Sequence, residues 1–183
     1  MRSESFRGTV FLDRDGTINR KAPDGDYVKS VEELALLPTA AAGIRALNEA
    51  HRRVIVVTNQ RGIALGRLTE RDLGAIHDHM LAQLAAHGAT VDAIYHCPHD
   101  LGACGCRKPQ VGMFVQAAQD HPGLRLTECA ILGDSEADMA AGANAGMLRV
   151  LVGRGREDRV ATAVHHRAPT LLDGVRWVIG ATG

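Results

Sequence analysis

Apolar residues fall in short runs along the chain, each ended by polar or glycine-bearing residues, and segments with apolar positions at helical spacing lie between them. Thr9-Val10-Phe11-Leu12 runs into Asp13-Arg14-Asp15-Gly16, the pattern of a buried strand followed by a turn. Thr39 is placed to cap a helix reaching about Ala50, with Ala40, Ile44 and Leu47 on one face. Val54-Ile55-Val56-Val57 then reads as a second buried strand ending in Thr58-Asn59-Gln60. Thr69 opens a longer helix in which Leu73, Ile76, Met80 and Leu84 keep helical spacing, closed near Gly88. Val91 to Tyr95 predicts a third strand, residues 111–120 a helix, and Cys129-Ala130-Ile131-Leu132 a fourth strand ending in Gly133-Asp134. A short helix from Met139 to Asn144 leads to a strand at Leu148–Val152, and a weaker Thr170-Leu171-Leu172 run precedes Trp177.

Strands alternating with helices imply right-handed crossovers and a mostly parallel sheet covered on both faces, a three-layer doubly wound α/β fold. Ligands bind such sheets beyond the carboxyl ends of the strands, where Asp13, Thr58 and Asp134 are all expected. No repeat, linker or low-complexity tract divides the 183 residues, and the length suits one domain over residues 1–183.

Composition narrows the partners. Lys and Arg total 21, as do Asp and Glu, and aromatic residues are 3% of the chain, so neither a generally basic nucleic-acid surface nor a base-stacking platform is expected. No apolar run approaches the roughly 18 residues of a membrane span, and Met1–Arg7 lacks the apolar stretch of a secretion signal. The expectation is a cytoplasmic monomer with neither a nucleic-acid nor a membrane partner.

Candidate chemistry gathers at the predicted strand ends. Asp13 and Asp15, two residues apart beside Gly16, suit one nucleophile and one acid/base: a carboxylate attacks phosphorus while a second carboxyl protonates the leaving oxygen and later activates water. An anion attacking an anion requires a divalent cation, and Mg²⁺ held by one or two carboxylates is the usual solution, with Asp134 as the second carboxylate. Thr58 offers a hydroxyl donor and Lys108 a compact positive charge for the phosphoryl oxygens. Asp138, in the first turn of a helix, is expected to be structural or to orient Lys108.

Of four cysteines, Cys97, Cys104 and Cys106 crowd one segment with His99, the ligand set of a closed tetrahedral structural Zn²⁺. Because Arg107-Lys108 follows Cys106 directly, such a metal would position the lysine without joining the chemistry. The other histidines, including His77, His79, His165 and His166, are expected in surface or packing roles.

In order, Asp13-Arg14-Asp15-Gly16-Thr17, Thr58-Asn59-Gln60, Arg107-Lys108-Pro109 and Gly133-Asp134-Ser135-Glu136-Ala137-Asp138 resemble the motifs of the haloacid dehalogenase (HAD) superfamily of phosphatases, over residues 8 to about 152. The resemblance implies Asp13 as nucleophile, Asp15 as acid/base, and Mg²⁺ on Asp13, the Asp15 backbone carbonyl and Asp134. Cys97-Pro98-His99 followed by Cys104-Gly105-Cys106-Arg107-Lys108-Pro109 is similar to the heptose-bisphosphate phosphatases and the related histidinol-phosphatase domains. The stretch Gly62-Ile63-Ala64 favours the former. Two positions depart from the family pattern, Arg61 where a small residue is expected and Leu65 where an arginine is expected.

No insertion between the motifs is long enough for a cap domain, so the site is expected to be open. Recognition of a small phosphorylated sugar then falls to the loop around Asp24-Gly25-Asp26-Tyr27, with Asp24 and Tyr27 singled out, to Asn59, Gln60 and Arg61, and to Arg107 for a phosphate that is not cleaved. The reading is hydrolysis of the 7-phosphate of a heptose 1,7-bisphosphate, with histidinol phosphate or another small phosphate ester as the alternative substrate. A phospho-acceptor signalling domain also gathers Asp, Thr and Lys at strand ends, but its accepting Asp follows the third strand. Here the acidic pair comes first. A catalytically silent zinc-loop binding protein leaves the intact acids without a purpose.

Overall fold

The computed structural model describes residues 8–155 and 159–181. Met1–Arg7, on which the expectation about a secretion signal rests, lies outside the described residues.

Six strands form one parallel sheet in the order β3-β2-β1-β4-β5-β6, with β1 at Thr9–Leu12, β2 at Arg53–Asn59, β3 at Ala93–Cys97, β4 at Ala130–Gly133, β5 at Leu148–Val152 and β6 at His166–Ala168. The order reverses between β1 and β4, and the two strands pair directly, Val10 beside Ala130 and Leu12 beside Leu132. Chain leaving one strand end turns away from chain leaving the other, and the crevice that opens there is where doubly wound sheets hold their ligands.

Alternation along the central strands sorts the core into two layers. Val10, Leu12, Val54, Val56 and Leu132 face α1 (Ala40–Glu49), α2 (Glu70–Ala86) and α5 (Leu171–Ala181) through Ile44, Ile76 and Val175. Phe11, Ile55, Val57 and Ile131 face α3 (Gly112–Asp120) and α4 (Glu136–Asn144) through Phe114 and Ala141. Phe11 meets Phe114 edge to face, ring centroids 5.0 Å apart, a geometry that adds about 0.5–1.5 kcal/mol beyond area burial. A strand end fixed between two such layers cannot shift by a residue without exchanging the side chains it presents to each layer.

Several boundaries differ from the sequence expectations. β3 begins at Ala93 and reaches Cys97, because the Asp92 carboxylate is spent on the Val54 N–H at 2.7 Å, at the start of the neighbouring strand. α4 starts at Glu136, three residues before Met139: the Ser135 N–H and hydroxyl both donate to Asp138 Oδ2, at 3.1 and 2.6 Å, and close its first turn. Leu171 and Leu172 begin a helix through Trp177, capped by Thr170, whose Oγ1 accepts from the Asp173 N–H. β6 is an edge strand that no apolar run announces. Between β1 and α1 the chain forms only isolated bridges and a short 3-10 turn at Val31–Glu33. Among the described residues no helix is long and apolar enough to cross a membrane.

Candidate active site

Asp13 is the first residue after β1, and its N–H donates to Leu132 O of β4 at 3.0 Å, so the carboxylate is delivered at the reversal point of the sheet. Asp134 follows β4 directly. Gly16 permits their approach: it has φ 93°, and a Cβ there would lie 2.2 Å from Asp134 Oδ2. Only glycine meets both conditions.

Lys108, contributed by the loop between β3 and α3, is buried among these acids. Its three ammonium hydrogens match three acceptors, Asp13 Oδ1 at 2.8 Å, Asp138 Oδ1 at 2.6 Å and the Val57 carbonyl at 2.7 Å. Burial disfavours the ammonium, but Asp13 and Asp138 outweigh it and raise the Lys108 pKa. Asp13 shows the opposite balance: burial, then the Asp138 charge, push its carboxyl up to about 8 against the pull of Lys108. Asn59 anchors the lysine's backbone at both ends, donating to Lys108 O at 3.1 Å and accepting from its N–H at 3.0 Å.

Carboxylate oxygens of Asp13, Asp134 and Asp138 lie within 4.8 Å of one another. Those of Asp138 are engaged by Lys108 and Ser135, so Asp13 and Asp134 are the pair that fits a divalent cation. The Asp15 side chain turns elsewhere. Arg14 Nε and Nη2 fork onto it at 2.9–3.2 Å, Asn19 Nδ2 donates to Oδ1 at 2.9 Å and Gln60 Nε2 to Oδ2 at 2.9 Å. Burial alone would raise the Asp15 pKa, but Arg14 and these donors bring it below the ordinary carboxylate range.

Asp13, Asp15, Thr58, Asn59, Arg107, Lys108 and Asp134 line one cavity of about 320 Å³, together with Lys21, Asp26 and Tyr27. Of the recognition residues expected from sequence, Tyr27, Asn59 and Arg107 are in its wall. Asp24, Gln60 and Arg61 are not among its lining residues. Asp24 is exposed on the loop, where Asp26 takes the rim position and is held by Lys29 at 2.6 Å. Gln60 is buried and donates to Thr58 Oγ1 at 2.8 Å as well as to Asp15, so its amide supports the acids from behind. Arg61 pairs with Asp100 at 2.6 Å, joining the loop after β2 to the Cys/His loop. Arg107 keeps a buried Nη1 without a partner. Lys21, which sequence reasoning did not single out, has Nζ 3.7 Å from Asp134 Oδ2.

Cys97, His99, Cys104 and Cys106 converge beside this cavity, with Sγ atoms 3.2–3.4 Å apart and His99 Nδ1 at 3.3 Å from Cys106 Sγ. All the cysteines are free. Three sulfurs and one nitrogen facing a common point fit a closed tetrahedral site, with His99 offering Nδ1.

A parallel sheet of this order with an acidic pair at its β1/β4 crevice and a buried lysine opposite is the architecture of HAD-like hydrolases, and residues 105–177 match the family described as HAD-hyrolase-like. A D-glycero-beta-D-manno-heptose-1,7-bisphosphate 7-phosphatase of Bordetella bronchiseptica is 42% identical over 153 residues, 81% of this chain and 83% of that one. A D-glycero-alpha-D-manno-heptose-1,7-bisphosphate 7-phosphatase of Mycobacterium bovis is 38% identical over 131 residues, 71% of this chain and 68% of that one. The crystal structure of the D,D-heptose 1.7-bisphosphate phosphatase from B. bronchiseptica complexed with magnesium and phosphate superposes with a TM-score of 0.86 at 34% identity, covering 95% of this chain and 99% of that one. The chain belongs to the heptose-1,7-bisphosphate 7-phosphatase family.

Proposed function

We propose that this protein is a Mg²⁺-dependent phosphatase that removes the 7-phosphate of a D-glycero-D-manno-heptose 1,7-bisphosphate through an aspartyl phosphate on Asp13. The observation that carries the reading is the placement of buried Asp13 and Asp134 at the β1/β4 crevice, with Lys108 bound to Asp13. Asp13 and Asp134, with the Asp15 backbone carbonyl, hold Mg²⁺, which supplies the neutralising charge that lets a carboxylate approach a phosphate.

An Asp13 oxygen attacks phosphorus as the bond to the sugar oxygen breaks, and Asp15, protonated in the substrate-bound site against the pull of Arg14, supplies the proton that this oxygen takes. Asp15 then removes a proton from the water that attacks the aspartyl phosphate, releasing inorganic phosphate and regenerating both carboxyl groups. Thr58 donates to the transferring oxygens, and Lys108, whose hydrogens are engaged by Asp13, Asp138 and Val57, stabilises them through its charge. Arg107, with its unpartnered buried Nη1, holds the phosphate that is kept, and Tyr27 and Asn59 line the path of the sugar. Cys97, His99, Cys104 and Cys106 bind one Zn²⁺ that clamps the loop carrying Arg107 and Lys108. The protein acts as one domain and, on this reading, as a monomer in the cytoplasm.

Phosphate release with Mg²⁺ from a heptose 1,7-bisphosphate, histidinol phosphate and a generic aryl phosphate tests the assignment. The bisphosphate should give the highest kcat/KM, and a preference for histidinol phosphate would overturn it.

A further inference from the structure

We infer that His77 is a positioning residue for the acid/base carboxylate, pinning the Arg14 guanidinium so that Arg14 pins Asp15. The inference rests on the acid/base role proposed for Asp15.

Arg14 is 0% exposed, and a guanidinium taken out of water must find partners for its donors. Nε and Nη2 are used on Asp15, the next residue in the chain. Asn19 and Gln60 also hold the Asp15 carboxylate, whereas the Arg14 guanidinium itself is tied to the rest of the fold by His77 on α2, 63 positions away, with Nε2 at 3.3 Å from Arg14 Nη1. Arginine has only donors, so Nε2 accepts and the ring proton belongs on Nδ1. Burial, then the charges of Arg14 and His96, hold the His77 pKa down to about 3, which keeps the ring a neutral acceptor.

Packing alone does not call for an imidazole at this position. The other buried positions of α2 are Leu73, Ile76, Met80 and Leu84, all apolar. His77 is the one buried polar side chain of that helix, and its nitrogen meets the Arg14 donor that Asp15 leaves over. The His96 ring lies against it at 6.1 Å, with His96 Nε2 at 2.8 Å from Glu70 Oε2. The imidazole is thus flanked by a second ring that is itself held by α2.

A misplaced acid should be felt only by leaving groups that need a proton. A sugar alkoxide does, whereas nitrophenolate departs without one, and kcat/KM reports the steps through departure. His77→Leu should therefore lower kcat/KM for the sugar phosphate at least about tenfold more than for p-nitrophenyl phosphate, a part of the about 10²–10⁴-fold that acid/base catalysis contributes. His77→Gln, whose amide oxygen can accept from Arg14, should recover most of that difference. If His77→Leu does not fold, His77→Asn, too short to reach Arg14, carries the same expectation. Equal losses on both substrates, or a His77→Gln variant no better than His77→Leu, would overturn the inference. Asp13→Asn in the same assays separates the two readings. Near-normal turnover there sinks the aspartyl-phosphate mechanism, whereas a dead Asp13→Asn with equal His77 losses sinks only the role of His77.

Discussion

Lys108 donates to Asp13 across 95 positions of sequence, Nζ to Oδ1 at 2.8 Å, with both side chains withdrawn from solvent. The same ammonium holds Asp138 at 2.6 Å, so one cation stands between two buried carboxylates. Breaking a buried pair from one side costs about 3–5 kcal/mol, because the partner stays behind as an unpaired charge. Lys108→Met should accordingly lower the thermal unfolding midpoint, and by less when Mg²⁺ is present to share the charge of Asp13. Turnover should fall about 10²-fold or more. Scanning calorimetry with and without Mg²⁺ checks the first expectation, and equal losses in both conditions would contradict it.

Asp13→Asn keeps the shape of the side chain and removes the attacking oxygen. Phosphate release should vanish while far-UV circular dichroism is unchanged. Acid-quenched wild-type protein should yield a phosphorylated peptide containing Asp13 by mass spectrometry, and the variant should not.

Cys106 lies two positions before Lys108, so damage to the sulfur cluster should reach the site through the chain. Metal analysis after exhaustive dialysis should find one zinc per chain. Cys106→Ser should lose it, unfold at lower temperature and turn over more slowly. A variant that loses zinc yet keeps full turnover would contradict the clamp.

Arg107 lines the cavity and has a buried Nη1 with no hydrogen-bond partner. Hydrogen bonds to charged groups contribute about 1.5–3 kcal/mol, which corresponds to a loss of about 10–100-fold when one to a phosphate is removed. Arg107→Ala should show that loss in kcat/KM for the bisphosphate and much less for a small aryl phosphate that never used the contact. Paired kinetics decide it, and equal losses would assign Arg107 to the transferring phosphate instead.

Strands β1, β2, β4 and β5 were legible because each is a run of aliphatic residues with few interruptions, the signature of a strand buried on both faces. His166-Arg167-Ala168 carries no such run: it is an edge strand, paired only with β5, and edge strands need not be apolar. The acids, Thr58 and Lys108 were legible as residue types at strand ends, and Asp138 as a helix-start carboxylate available to Lys108. Which way a polar side chain turns was not. Gln60 alternates inward at the end of β2 and disappears behind Thr58, whereas Arg61 is drawn off by Asp100, itself 39 positions away. Arg14 was no more than a member of the first motif in sequence, and its burial against His77 of α2 is a contact no local pattern encodes.

The central claim is that phosphate leaves carbon 7 by way of Asp13 while the anomeric phosphate stays. Phosphorus NMR of the reaction with a heptose 1,7-bisphosphate and Mg²⁺ follows both groups at once. The 7-phosphate signal should give way to inorganic phosphate with the anomeric signal retained, and no change should appear with Asp13→Asn. Loss of the anomeric signal first, or conversion by Asp13→Asn at a near-normal rate, would contradict the account.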